Sequence, residues 1–167
     1  MDKINFPIYI IGMPFSGKST IARILSQELN LKYIDLDHEI EKSSKQSVHQ
    51  MFSTHGEAYF RSLETEHLKT FRTFQGLIAC GGGIVLNEQH KDIMQHGFTI
   101  FIHTSLETLK KRVKKSYKRP LLKTQSLDLL YQKRLSLYQS FASYTINNDH
   151  TMEALIESLK KYIKEHL

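Results

Sequence analysis

Gly12-Met13-Pro14-Phe15-Ser16-Gly17-Lys18-Ser19-Thr20 decides how this chain is read. The pattern is G-x-x-x-x-G-K-S, a phosphate-binding loop, and its surroundings suit one. Ile8-Tyr9-Ile10-Ile11 before it is a short, mostly β-branched apolar run that predicts a buried parallel strand. After it, Ile21, Ala22, Ile24, Leu25 and Leu29 recur at helical spacing. A glycine-bearing turn between strand and helix lets backbone N–H groups face one anion, and the helix N-terminus adds partial positive charge. Lys18 is then a candidate for the β- and γ-phosphates and the Ser19 hydroxyl for Mg²⁺, with Gly12, Phe15, Ser16, Gly17 and Thr20 forming the rest of the nucleotide cradle. Phe15 stands where such loops often carry another glycine, so its ring is expected to crowd the nucleotide or reshape the loop.

Outward from the loop, the chain alternates strands and helices, which predicts an α/β doubly wound fold with a parallel sheet. Further strands are expected at 31–35, 77–80, 98–102 and, as an edge strand, 144–146. Helical spacing marks 38–44, 48–52, the stretch carrying Phe60, Leu63, Leu68 and Phe71, and 88–96 with Gly97 as its C-terminal glycine. Ser105 reads as the N-cap of a helix to about Val113, and an amphipathic helix closes the chain over 152–166. Between them, Lys114 to Thr124 is basic and contains Pro120, the composition of a mobile lid.

The 167 residues are expected to form one domain. No apolar run reaches the length of a membrane span, and Met1-Asp2-Lys3-Ile4-Asn5 does not look like a signal peptide. Cys80 stands alone, which excludes an intrachain disulfide framework and suits a reducing cytoplasm. Net charge is +6, with seven cations and no acid between Lys110 and Arg119. A positive field of this kind serves phosphates and small acids as well as nucleic acid. With Tyr117 as the only aromatic in the run, a nucleic-acid role has thin support, and most of its lysines fit a solvated basic face. The nine histidines show no metal-ligand spacing.

Several constellations could carry chemistry. Asp35 and Asp37, read as two apart at the end of a strand, would share a face; one could hold Mg²⁺ through water while the other accepts a hydroxyl proton. Alternatively, Asp37 caps the next helix. Gly81-Gly82-Gly83 allows close approach of a ligand, or is only a flexible turn, the better reading of the triplet by itself. Arg61 and Glu64, three apart on a helix, are either a surface ion pair or an arginine aimed at a substrate carboxylate, a planar group that fits its fork. Arg134 is a second such arginine, and Arg119 could swing onto a transferred phosphate. Cys80 fits a small buried side chain better than a nucleophile.

Taken in order, Gly12–Thr20, Tyr33-Ile34-Asp35-Leu36-Asp37, Ile40-Glu41, Gly56-Glu57-Ala58-Tyr59-Phe60-Arg61-Ser62-Leu63-Glu64, Gly81-Gly82-Gly83, Arg119-Pro120-Leu121-Leu122 and Arg134-Leu135-Ser136-Leu137-Tyr138 resemble the shikimate kinases over nearly the whole chain. The resemblance implies a P-loop, nucleoside-monophosphate-kinase-like domain spanning 1–167, with a five-stranded parallel sheet flanked by helices, a lid over about 112–124 and substrate-binding helices over about 37–64. It implies a cytoplasmic enzyme, expected to be a monomer, that moves the γ-phosphate of ATP to the 3-hydroxyl of shikimate on the route to chorismate and the aromatic amino acids, with Mg²⁺ and without nucleic-acid or membrane partners. Asp37, Arg61, the Gly81–Gly83 turn and Arg134 would hold shikimate, with Asp37 as base. Lys18 and Arg119 would stabilise the phosphoryl group, Ser19 and Asp35 would serve the metal, and Arg112 would pack on adenine. Phe15, Ala22 and Lys45 stand where the family commonly has glycine. The alternatives are a gluconate-type kinase on the same scaffold and a degenerate P-loop domain that binds a metabolite without turnover.

Overall fold

In the computed structural model, which describes residues 4–114 and 126–167, the chain is built around a parallel sheet of β1 (Pro7–Ile11), β2 (Lys32–Asp35), β3 (Gly76–Ala79), β4 (Phe98–His103) and β5 (Tyr144–Asn147). The strand order is β2-β3-β1-β4-β5. Helices α1 (Lys18–Leu29), α2 (Leu36–Ser44), α3 (Val48–His55), α4 (Glu57–Thr70), α5 (Glu88–Met94), α6 (Leu106–Lys114), α7 (Leu127–Phe141) and α8 (Met152–His166) cover its faces, with short 3₁₀ turns at Phe71–Thr73 and Ile84–Leu86.

Alternation along the strands sorts the core into two layers. Ile8 and Ile10 of β1, Leu77 and Ala79 of β3 and Ile100 and Ile102 of β4 face one side, where Ile21 and Leu25 of α1 and Leu155, Leu159 and Ile163 of α8 pack on them. Tyr9, Ile11, Ile78, Cys80 and Phe101 face the other, against residues of α2 to α7 such as Ile40, Met51, Phe60, Leu109 and Tyr138. All of β1 is buried because it is covered above and below and paired on both edges, to β3 and β4. From β1 the chain runs to β2 on one side and later reaches β4 on the other. The C-terminal end of β1 is therefore where an α/β sheet opens its binding crevice.

Four expectations change. β2 ends at Asp35, whose carboxylate caps α2 by accepting the His38 N–H at 3.3 Å, so Asp37 lies in the first turn of that helix and not on the strand. The helix expected over 88–96 stops at Met94. Gly97 is not a left-handed cap: a Cβ there would stand 2.3 Å from the Pro7 carbonyl, so glycine is required by the passing backbone of β1. The third strand begins and ends one residue earlier than expected, at Gly76–Ala79. The lid expectation and Arg119 fall mostly in 115–125, outside the described residues.

Candidate active site

The phosphate loop leaves β1 and turns into α1 through Gly17, whose φ of 82° is the left-handed conformation glycine adopts without strain. No side chain caps α1 and no acid sits in its first turn, so its first N–H groups and its positive end remain available to an anion. Lys18, buried, donates to the Met13 carbonyl at 3.3 Å, which curls its chain back over the loop. The Ser19 and Thr20 side chains are exposed at the mouth.

Two further residues clamp the loop from outside. Asn148, buried after β5, donates from Nδ2 to the Ser16 carbonyl at 2.6 Å. Arg112 at the end of α6 donates to the Phe15 carbonyl at 3.0 Å and to the Asn148 carbonyl at 3.2 Å. Phe15 itself has φ 67° and is half-buried against the larger core cluster. A side chain stands there in a glycine-like backbone, so the loop keeps its turn despite the substitution. Lys45, the C-cap of α2, does the same at φ 55°.

Next to the loop, the turn after β3 touches the other elements in succession. A Cβ on Gly81 would lie 2.7 Å from Oδ1 of Asp37. One on Gly82 would lie 3.0 Å from Pro14 of the phosphate loop, and the Gly82 carbonyl accepts the Tyr138 hydroxyl of α7 at 2.5 Å. One on Gly83 would lie 2.1 Å from Nη2 of Arg61 on α4. Read alone the triplet passed for a flexible turn; in the fold it is the point where α2, α4, α7 and the loop meet.

Arg61 donates to Glu64 at 2.6 Å and to Glu57 at 3.1 Å and lies over Phe52 and Phe60, its guanidinium 5.9 and 5.4 Å from the ring centres. The pair is no surface ion pair, since Glu64 is fully buried. Burial works against the charge of Arg61, and Glu64 and Glu57 more than offset it, raising its pKa. Burial pushes Glu64 up to about 7, against the pull of Arg61. Asp37 is also raised, first by burial and then by Asp35, with Lys18 and Arg61 opposing. On α7, Arg134 lies one turn before Tyr138, near enough to Glu64 to lower its pKa. Among the described residues, the side-chain polar atoms shielded from solvent without a hydrogen-bond partner include Ser16 Oγ, Asp37 Oδ1, Glu64 Oε1 and Arg134 Nε. Four such atoms around one crevice are the mark of a polar ligand's place, because each costs about 1–3 kcal/mol when left unpaired.

Elsewhere the chemistry is quiet. Cys80 is buried and burial pushes its thiol well above the ordinary range, as suits a structural residue. In the basic run, Lys110 pairs with Asp128 and Lys111 with Glu107. A concavity of about 470 Å³ lined by Lys69, Arg72, Gln89, Asp92, Ile93 and His96 opens where β3 and β4 begin, at the end of the sheet away from the phosphate loop. No described helix is long and apolar enough to cross a membrane. Sequence reasoning did not single out Asn148, Ser16 as an inward hydroxyl, or Tyr138 as an anchor. Tyr138 had a signal, since it falls on the Arg134 face one helical turn later; Asn148 had none, because its partner is 132 residues away.

Known proteins resemble this chain along nearly its whole length. The shikimate kinase family model matches residues 14–164. A shikimate kinase of Rippkaea orientalis is 39% identical over 162 residues, covering 93% of this chain and 87% of the relative. The structure of the Acinetobacter baumannii shikimate kinase in complex with shikimate superposes with a TM-score of 0.88 at 28% identity, covering 99% of this chain and 97% of that one. The Aquifex aeolicus shikimate kinase superposes with a TM-score of 0.82 at 34% identity, over 95% of this chain and 96% of that one.

Proposed function

The chain belongs to the shikimate kinase family, and on that premise we propose how its own residues carry the reaction. It is an ATP-dependent kinase that transfers the γ-phosphoryl group to the 3-hydroxyl of shikimate, in the pathway to chorismate. The observation that supports the division of labour is the glycine turn, whose three residues abut Asp37, the phosphate loop and Arg61 in turn. Donor and acceptor halves of the crevice thus share one wall.

The acceptor is held by its carboxylate between Arg61 and Arg134, two guanidinium groups whose planar forks match it. Glu64 keeps Arg61 from swinging out, and the apolar faces of Phe52 and Phe60 support it. Asp37 Oδ1, close to Gly81, accepts the hydrogen of the reacting hydroxyl. The hydroxyl oxygen bonds to the γ-phosphorus, the bond from that phosphorus to the β–γ bridging oxygen breaks, the proton goes to Asp37, and ADP leaves. Charge on the phosphoryl oxygens is met by Lys18 and the uncapped start of α1, and by Arg119 from the stretch outside the described residues. The transition state is loose, so Asp37 works as much by orienting the hydroxyl as by removing its proton. Its raised pKa makes Asp37 a better proton acceptor than an ordinary exposed carboxylate.

Arg112 and Asn148 hold the loop carbonyls of Phe15 and Ser16 and form the wall against which adenine would rest. The donors around the loop also fit Mg²⁺: a hydroxyl at Ser19 and a carboxylate at Asp35 are hard oxygen ligands, too few to hold the ion without water and phosphate, which is its usual mode of binding. When bound, Mg²⁺ neutralises charge on the β- and γ-phosphate oxygens.

The test is ADP release followed by a coupled assay, with Mg²⁺-ATP and a panel of shikimate, gluconate and nucleoside monophosphates. Turnover with shikimate alone is expected. Turnover with gluconate or a nucleotide in its place would overturn the acceptor assignment, and none with any of them would favour a binding domain.

A further inference from the structure

His90 has no part in the chemistry above, yet it is fully buried beneath the acceptor half of the crevice. It sits on α5 with each ring nitrogen engaged by a different element. Nδ1 lies 2.8 Å from the carbonyl of Ile84, the residue after Gly83. Nε2 lies 2.8 Å from Oγ1 of Thr65, one helical turn beyond Arg61 on α4. A carbonyl can only accept, so Nδ1 carries the hydrogen and Nε2 of the neutral ring is an acceptor, sharing the single Thr65 hydroxyl hydrogen with the Arg61 carbonyl, which lies 3.0 Å from Oγ1. The amide of Asn87, the N-cap of α5, reaches both Thr65 Oγ1 and His90 Nε2 at 3.5 Å. Burial lowers the pKa of His90, in keeping with a neutral ring making this pair of bonds.

The two elements so joined are the two that meet at the tightest place in the site. The Gly83 Cα faces the Arg61 guanidinium with no room for a methyl group between them. Among the described residues, the turn's other hydrogen bonds are its own 3₁₀ bonds, Ile84 N–H to the Gly81 carbonyl at 3.1 Å and Leu86 N–H to the Gly83 carbonyl at 3.0 Å, and the Tyr138 bond on the far side. None of these ties it to α4. We propose that His90, with Thr65 as its partner, is a positioning residue for the acceptor site: the imidazole is a rigid spacer between Ile84 and α4 that sets where Arg61 stands against Gly83. The proposal rests on the reading of Arg61 as a carboxylate holder.

The experiment compares His90→Leu, which loses both bonds, with His90→Asn, whose amide N–H stands where Nδ1–H stood, and with Thr65→Val, which removes the Nε2 partner together with the hydroxyl's bond to the Arg61 carbonyl. KM for shikimate is expected to rise about tenfold in His90→Leu and about threefold in the other two, with KM for ATP within twofold of wild type in all three. Melting temperatures are recorded beside the kinetics, which are run well below them. Were His90 merely a packing residue, the melting temperatures would fall while both KM values held. An unchanged KM for shikimate in His90→Leu overturns the proposal; if that variant does not fold, an unchanged value in both Thr65→Val and His90→Asn does so. Wild-type enzyme without shikimate turnover would instead sink the functional reading, and the two failures are told apart by that control.

Discussion

Replacing Gly83 by alanine adds one methyl group at the most crowded point of the acceptor site. The backbone there (φ −91°, ψ 4°) is open to any L-residue, so the substitution introduces little strain of its own. The new Cβ would sit 2.1 Å from Nη2, 2.5 Å from Cζ and 2.6 Å from Nη1 of Arg61. Ordinary contact begins near 3.4 Å, so the guanidinium must retreat by about 1.3 Å, the difference between 3.4 and 2.1 Å. It is the far end of a flexible side chain and will move before the backbone does. A retreat of that size takes Nη1 out of its 2.6 Å bond to Glu64 or tilts the fork away from the substrate carboxylate. Misplacement of about 1 Å costs up to about 10²-fold in a positioned reaction, so kcat/KM for shikimate should drop about 10- to 100-fold, or about 1.4–2.8 kcal/mol. KM for ATP should stay within twofold, because the methyl group faces Arg61 and not the phosphate loop. Steady-state kinetics in both substrates, with a thermal melt to confirm the fold, read this directly. An unchanged KM for shikimate in a folded variant, or an equal loss in both substrates, would refute the reasoning.

Other predictions concern the same crevice. Phe15→Gly relieves about 1–2 kcal/mol of left-handed strain but gives up apolar packing and stiffens the unfolded chain less, so urea melts should shift by no more than about 1 kcal/mol. Its KM for ATP should remain within about threefold; a tenfold tightening would show that the ring crowds the nucleotide. Glu64 has its folded pKa raised to about 7 from an ordinary 4.5, so the stability it contributes is present in acid and is lost as pH rises from about 4.5 through 7, about 3 kcal/mol in all. In Glu64→Gln that loss disappears, and chemical denaturation at pH 5 and pH 8 should show the gap between the two pH values narrowing by that order; an unchanged gap contradicts the assignment. Asp37→Asn should lower kcat by about 10²–10⁴-fold with little change in KM for ATP, and retention of more than a tenth of the wild-type kcat would remove Asp37 from its role.

What could be seen in the sequence was whatever is local. The strand before Gly12, the helix after it and the apolar alternation of the sheet are matters of period and burial, and the strands fall within a residue of their expected places. Gly97 misled because glycine after a helix ordinarily means a left-handed cap, whereas here it clears the Pro7 carbonyl across the sheet. Asp37 misled differently: helix α2 starts at Leu36, two residues sooner than the expected 38, with Asp35 as its cap. The candidate acceptor residues were legible as residue types, and Glu64 as the partner of Arg61, yet nothing local told a buried pair from a surface one. The contacts of the glycine turn, the Arg112–Asn148 clamp and the His90 spacer join segments far apart in the chain, and such pairs leave no pattern in a single sequence.

Phosphate is moved to one particular hydroxyl of shikimate, and the position of the new ester is what distinguishes this reaction from any other use of ATP. Incubating the protein with Mg²⁺-ATP and shikimate and recording a ¹H–³¹P correlation spectrum of the product tests it without recourse to coupling enzymes. One new phosphoester whose phosphorus correlates with the proton on carbon 3 is the predicted result. A phosphoester at another hydroxyl, or none while ATP is consumed, would contradict it.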